Sequence, residues 1–233
     1  MNKDSAAEDK YAKAESDAKK HNDAILKSPS KKKVVVAGPG TGKTYLFKTI
    51  LAGKSKTLTL TFVNALVEDL SLELCGLSDV RTLHGFARSV LKTGSDNIKM
   101  FPRLPDVISE DAKFLLGEEI NFKPMFNNRD DSNKHMDFYR KRRRYYDHYG
   151  FEDIVLAVVW HFNQKKDRIP TYEQILVDEF QDFNKLEVSL IDLLASKSPI
   201  LLAGDDDQAL YEFKDAKKEH IRQRHSDASA GYG

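Results

Sequence analysis

At 233 residues, the chain suits one α/β domain with an insertion, or one and a half domains, and its 40% hydrophobic and 31% charged residues are those of an ordinary soluble protein. A formal net charge of +1 argues neither for nor against a nucleic-acid partner, because the distribution of charge matters more than its sum. The single cysteine, Cys75, excludes an internal disulfide and a cysteine-built zinc site, and is expected to be a small buried apolar residue. With no signal-peptide core and no apolar run near the ~20 residues that span a bilayer, the expectation is no membrane partner and an intracellular location, cytoplasmic or, in a eukaryote, nuclear.

Residues 1–27 read as a polar, partly helical lead-in that ends on Ile25-Leu26, and residues 28–33 as a loop. The run Val34-Val35-Val36 is the first predicted strand, and it breaks into Ala37-Gly38-Pro39-Gly40-Thr41-Gly42-Lys43-Thr44. Such a glycine-rich loop turns successive backbone N–H groups inward around phosphates. Its lysine reaches the terminal phosphates, and the hydroxyl after it ligates Mg²⁺. Ala37 stands where the usual pattern has its first glycine, but the position between an apolar strand and a helix over Tyr45–Leu51 argues against a mere loop with a surface lysine. A second strand follows over Thr57–Phe62, then a helix over Ala65–Leu74 with Leu66, Leu70 and Leu74 on one face. A short strand around Val80 leads through Thr82-Leu83-His84-Gly85-Phe86 into a helix that runs to Leu91.

From Thr93 to Pro170 the composition turns polar and rich in proline, which predicts a mostly helical insertion with Ala157–Trp160 as a buried turn. Inside it lies the sharpest basic cluster, Arg140-Lys141-Arg142-Arg143-Arg144, flanked by Tyr139, Tyr145 and Tyr146. Basic residues interleaved with aromatics suit a nucleic-acid backbone. Alternatively, Phe138, Tyr145 and Tyr149 share one helical stripe, which would bury the tyrosines and leave a solvated basic face. The α/β pattern resumes with a strand over Gln174–Val177, a helical stripe of Leu186, Leu190 and Leu193, and a last strand over Ile200–Ala203. The domain division is therefore 28–94 with 171–217, an insertion at 95–170, and a polar tail at 218–233. Near-continuous apolar strands alternating with helices imply a parallel sheet covered on both faces, with ligands beyond the carboxyl ends of the strands.

At the end of the Gln174–Val177 strand stand two adjacent carboxylates, Asp178 and Glu179. One can hold a metal and the next can polarise a water for attack on a γ-phosphate, so with the phosphate loop they describe a nucleoside-triphosphate hydrolase.

Five segments resemble, in order, the motifs of the UvrD/Rep/PcrA class of superfamily-one helicases. Beyond the phosphate loop, Leu60-Thr61-Phe62-Val63-Asn64-Ala65 resembles motif Ia and Thr82-Leu83-His84-Gly85-Phe86 resembles motif Ib. Asp178-Glu179-Phe180-Gln181-Asp182 resembles motif II, and Gly204-Asp205-Asp206-Asp207-Gln208-Ala209-Leu210-Tyr211-Glu212-Phe213 resembles motif III. The resemblance covers roughly residues 34–216 and implies a RecA-like P-loop domain that uses ATP and Mg²⁺. It places Ala37 to Thr44 around the nucleotide, with Lys43 on the terminal phosphates and Thr44 and Asp178 on the metal. Glu179 would be the general base, and Gln208 would sense the γ-phosphate. Phe62, Asn64, Thr82, His84, Tyr211 and Phe213 would touch single-stranded DNA, with RNA left open. Aromatic faces stack on unpaired bases without reading sequence, worth ~1–3 kcal/mol per base. For Tyr211 and Phe213 the competing reading is core packing, and for His84 it is a satisfied, partly buried histidine.

Three departures bear on what the resemblance implies. Where the family reads adenine with a glutamine, this chain offers His21 or Asn22; at the end of motif III, Lys214-Asp215 replaces Arg-Gly. The chain also stops soon after motif III, so the second motor domain and its arginines would have to come from another chain. The reading is thus the N-terminal motor domain of an ATP-dependent DNA helicase, slow or inactive in isolation. Two alternatives stand beside it: a truncated or split non-enzymatic module that binds nucleotide and DNA, and a P-loop phosphotransferase, which leaves motifs Ia, Ib and III unexplained.

Overall fold

Five apolar segments supply the strands: β1 (Lys32–Val36), β2 (Thr57–Thr61), β3 (Asp79–Thr82), β4 (Gln174–Val177) and β5 (Ile200–Gly204). In the computed structural model, which describes residues 19–38, 41–93, 98–130 and 133–205, they form one all-parallel sheet in the order β1-β5-β4-β2-β3. Parallel neighbours cannot be joined by a tight hairpin, so helices carry the crossovers. They are α1 (Lys43–Leu51), α2 (Asn64–Glu73) and α3 (Leu83–Lys92), then α4 (Leu104–Leu116), α5 (Lys123–Asn127), α6 (Lys134–Tyr146) and α7 (Asp153–Gln164) within the insertion, and finally α8 (Lys185–Ala195). Residues 19–27 are also helical and are tied to β1 by Lys33 Nζ, which donates to the Ile25 carbonyl at 2.6 Å.

Alternation along the strands sorts the core into two layers. Leu58, Leu60, Ile175, Val177, Ile200 and Leu202 point to one face, where they meet Phe86 of α3, Ile154 and Val158 of α7, and Leu190 of α8. Leu176, Leu201 and Ala203 point to the other, against Leu46, Phe47 and Leu51 of α1 and Leu70 and Leu74. The insertion shares the first core: Phe122, Phe126, Tyr139 and Phe162 are buried in the same cluster as the sheet residues. Fully burying one such aromatic contributes about 1.5–3 kcal/mol, so the helices of 95–170 are part of the layer that covers the sheet. The two edge strands, β1 and β3, stay more open than the three between them, with Val36 of β1 48% exposed.

Two expectations are corrected. Cys75 is exposed, in the turn after α2. The tyrosine stripe of the basic cluster also has a different register. Helix α6 stops at Asp147, whose φ of 55° ends the helical geometry, so Tyr149 lies beyond it and pairs instead with Met100. The buried face is Met136 and Tyr139, and Tyr145 is 73% exposed. Nor is the basic face simply solvated. The Arg140 guanidinium lies 4.2 Å from the Trp160 ring centre, and Arg143 lies 4.4 Å from that of Tyr149. Arg142 donates to Asp111 at 2.7 Å and stacks on Tyr145 at 4.6 Å. A guanidinium is flat and weakly hydrated, which suits it to aromatic faces and bidentate partners. These arginines stitch α6 to its neighbours, while Lys141 and Arg144 remain exposed.

At the heart of the insertion, the Tyr139 hydroxyl donates to Asp153 Oδ2 at 2.9 Å. Burial pushes the Asp153 carboxyl up from 3.8 to about 6, with the Tyr139 hydrogen bond and the Arg143 charge opposing it. A raised folded-state value means that this group's stabilising contribution is fully present below pH 3.8 and is lost as pH rises through about 6. The Asp153→Asn variant keeps an acceptor for Tyr139 and cannot ionise. Its stability relative to wild type should therefore grow between about pH 4 and 7 and level off at no more than about 3 kcal/mol. Urea unfolding of both proteins across that range checks this, and parallel curves would contradict it.

Candidate active site

The phosphate loop leaves β1 and closes at Gly42, the residue before α1, where φ is +84°. A side chain there would strain the left-handed backbone that turns the loop into the helix. The Thr41 hydroxyl braces the loop by donating to the Gly38 carbonyl at 2.7 Å. At Gly38, an added Cβ would lie 3.4 Å from Asp205 Oδ2, so the end of β5 closely approaches the loop. Helix α1 begins with Lys43 and Thr44 and has no acidic residue in its first turn. Its positive N-terminal end is therefore available to an anion. Pro39 and Gly40 lie outside the described residues.

Facing the head of α1 is the end of β4. The Asp178 N–H donates to the Leu60 carbonyl at 2.9 Å, which continues the β2–β4 ladder by one residue. Glu179 then takes a left-handed conformation, φ 51° and ψ 45°, and opens a single 3₁₀ turn over Phe180–Asp182. That conformation costs a non-glycine residue roughly 1–2 kcal/mol. Buried Phe180 and Phe183 anchor the turn. Both carboxylate oxygens of Glu179 are also engaged, Oε1 by Lys43 Nζ at 2.8 Å and Oε2 by the Gln181 amide at 2.6 Å.

Lys43 Nζ also lies 3.5 Å from Asp178 Oδ1. Asp178 is 7% exposed, and this buried oxygen has no hydrogen-bond partner among the described residues. Burial pushes the Asp178 carboxyl up, with the Lys43 charge opposing and the neighbouring Glu179 reinforcing the shift. For Lys43, burial works against the charge, but the hydrogen bond to Glu179 and the charges of both carboxylates outweigh it, so its value is raised. One cation thus stands against two carboxylates, which leaves negative charge over. The buried Asp178 oxygen, without a hydrogen bond among the described residues, is a hard carboxylate donor of the kind that Mg²⁺ takes.

Of the DNA candidates, Phe62, Asn64, Thr82 and His84 share this end of the sheet. Thr61 and Thr82 are register partners, so β2 and β3 finish side by side. Phe62 is half-buried and meets Phe183 edge-on, with ring centres 5.7 Å apart. Asn64 is exposed at the start of α2. The Thr82 hydroxyl accepts from the Gly85 N–H at 3.1 Å and caps α3. His84 stacks on Phe151 at 4.1 Å with its Nδ1 3.7 Å from Glu187 Oε1, the environment of a partly buried, engaged histidine. Gln208, Tyr211 and Phe213 lie outside the described residues. Two residues near the carboxylates were given no role by sequence reasoning. These are Gln181, visible only as part of the motif II pattern, and Asp205, whose approach to Gly38 depends on strand order.

A family model described as the UvrD/REP helicase N-terminal domain matches residues 111–229, just over half of the chain. The chain belongs to this family. The match includes Asp178, Glu179 and Gln181, while the phosphate loop precedes it. Among curated relatives, DNA helicase II of Haemophilus influenzae is 38% identical over 31% of this chain and 11% of its own length. The ATP-dependent DNA helicase srs2 of Schizosaccharomyces pombe is 35% identical over 33% of this chain and 9% of its own. The ATP-dependent DNA helicase PcrA of Staphylococcus epidermidis is 23% identical over 81% of this chain and 33% of its own. The chain thus spans a third or less of the length of these relatives. No helix among the described residues is long and apolar enough to cross a membrane.

Lys43 is the cation that the loop presents to the two carboxylates, so Lys43→Ala should weaken Mg²⁺-ATP binding by about tenfold to hundredfold, the value of a lost charged hydrogen bond. Calorimetric titration checks this, and equal affinity for the variant and wild type would contradict it.

Proposed function

We propose that this domain binds Mg²⁺-ATP at the phosphate loop, hydrolyses it with Glu179 as general base, and couples turnover to single-stranded DNA as the first motor domain of a helicase. The observation that carries the reading is the position of Lys43 at the head of α1, held between Asp178 and Glu179 by contacts of 3.5 and 2.8 Å. Lysine turned toward terminal phosphates gives up Glu179 Oε1, and that oxygen is then free to take a proton from an attacking water. Asp178 and Thr44 would hold Mg²⁺, which neutralises charge on the β- and γ-phosphates when bound. Gln208 is the proposed γ-phosphate sensor. The names of the relatives as ATP-dependent DNA helicases support the same chemistry, and family membership disfavours a small-molecule phosphotransferase.

Single-stranded DNA is proposed to run across the ends of β2 and β3, past Asn64 and Thr82, with stacking supplied by Tyr211 and Phe213. A second motor domain, on this polypeptide's continuation or on another chain, would complete the ATP cleft.

The Glu179→Gln variant keeps the shape of the base but cannot take a proton. ATP hydrolysis should fall by roughly 10²–10⁴-fold while Mg²⁺-ATP binding stays within a few-fold of wild type. Loss of binding in that variant would remove Glu179 from the role. In fluorescence anisotropy with a single-stranded oligonucleotide, binding should weaken with salt. Tyr211→Ala and Phe213→Ala should each cost about 1 kcal/mol or more. Unchanged affinity in both would assign these aromatics to packing.

A further inference from the structure

Gln181 is 3% exposed, and both ends of its amide are used. Its Nε2 donates to Glu179 Oε2 at 2.6 Å, and its Oε1 accepts from the backbone N–H of Asp205 at 3.1 Å. A side-chain amide places a donor and an acceptor on the two sides of one small planar group without adding charge. The bridge therefore joins the turn after β4 to the end of β5, two segments 24 residues apart in sequence. It also makes the two oxygens of Glu179 inequivalent. Oε2 is fastened to a buried neighbour on the same turn, whereas Oε1 is held by Lys43, which belongs to a different element.

We propose that Gln181 is a positioning residue for the hydrolytic base. It holds the Glu179 carboxylate by Oε2, so that Oε1 is the oxygen presented to the attacking water once Lys43 turns to the phosphates. The inference rests on the reading of Glu179 as the base. The left-handed backbone at Glu179 gives the clamp a reason to exist, because a strained residue keeps one orientation only where its surroundings over-determine it. The attachment to Asp205 adds a second constraint. The side chain of that residue faces Gly38 of the phosphate loop, so the base is registered against the strand end that borders the nucleotide. Catalytic groups held only loosely lose rate without losing substrate affinity.

The test is steady-state ATP hydrolysis with Mg²⁺-ATP binding and thermal unfolding, on Gln181→Glu, Gln181→Met, Glu179→Gln and the Glu179→Gln/Gln181→Glu double variant. Gln181→Glu conserves volume and the acceptor for Asp205 but turns a like charge toward Glu179; Gln181→Met removes both hydrogen bonds. Each is expected to lower kcat by roughly 10–100-fold, with KM and Kd for ATP within about threefold of wild type. The double variant is expected to be no slower than Glu179→Gln alone, since the glutamine acts through the base. Three results would overturn the proposal: wild-type kcat in both Gln181 variants, a further loss in the double variant, or a fall in kcat matched by weaker ATP binding and a lower unfolding midpoint. Undiminished hydrolysis in Glu179→Gln is a separate outcome and would remove the base reading itself.

Discussion

Placing one lysine and two carboxylates together at the mouth of a sheet is costly unless all three are present at once. A partly buried carboxylate beside another one is stabilised chiefly by a cation close by, and the ammonium of Lys43 supplies it to both Asp178 and Glu179. The partners are 136 residues apart along the chain. They meet because β1 and β4 run parallel with only β5 between them, so the loop after one strand and the turn after the other open at the same end. Sheet direction, strand order and the sharp turn at Gly42 are all conditions for this contact. Its net negative charge, and an Asp178 oxygen that has no hydrogen bond among the described residues, suit the proposed metal ion with an anion at the helix N-terminus.

The insertion contributes by closing the opposite layer. Alongside α3 and α8, α7 covers the face made by Leu58, Leu60, Ile175 and Val177, and the buried rings of Phe126 and Tyr139 belong to the same core. The turn after β4 is anchored on that side through Phe180 and Phe183, so the packing that keeps the insertion in place also keeps Glu179 in its strained backbone. The arginines of α6 belong to this structural role. Stacked on Trp160, Tyr145 and Tyr149 and paired with Asp111, they behave as flat spacers between helices as much as charges.

What could be read from the sequence follows the range of the forces involved. The strand Gln174–Val177 was legible to the residue, because a continuous apolar run ending in two carboxylates is a local signal. The turn from the glycine-rich segment into α1 was legible because Gly42 has a local backbone purpose there. Helix α6 was legible as a helix, but its buried face was not. Phe138, Tyr145 and Tyr149 fit a periodic stripe on paper, and the helix ends at Asp147 before the last of them. Cys75 was misjudged because residue type predicts burial only on average, and a turn after α2 leaves this one outside. Gln181 and Asp205 were out of reach because their contacts depend on which strands are neighbours, and periodicity carries no information on strand order.

The same strand order brings the two halves of the proposed function onto one unit. β2 lies directly against β4, with Leu60 paired to Val177 and its carbonyl accepting from the Asp178 N–H. Thr61 ends β2, and next comes Phe62, the first of the proposed DNA contacts. Phe62 rests edge-on against Phe183, which ends the turn that carries Glu179 and Gln181. On the proposed function, a rearrangement of that turn when nucleotide binds would reach the surface beneath Phe62 through this ring contact. Packed contacts of this kind have a few discrete arrangements rather than a continuous range, which is the property that the proposed coupling of nucleotide to DNA requires.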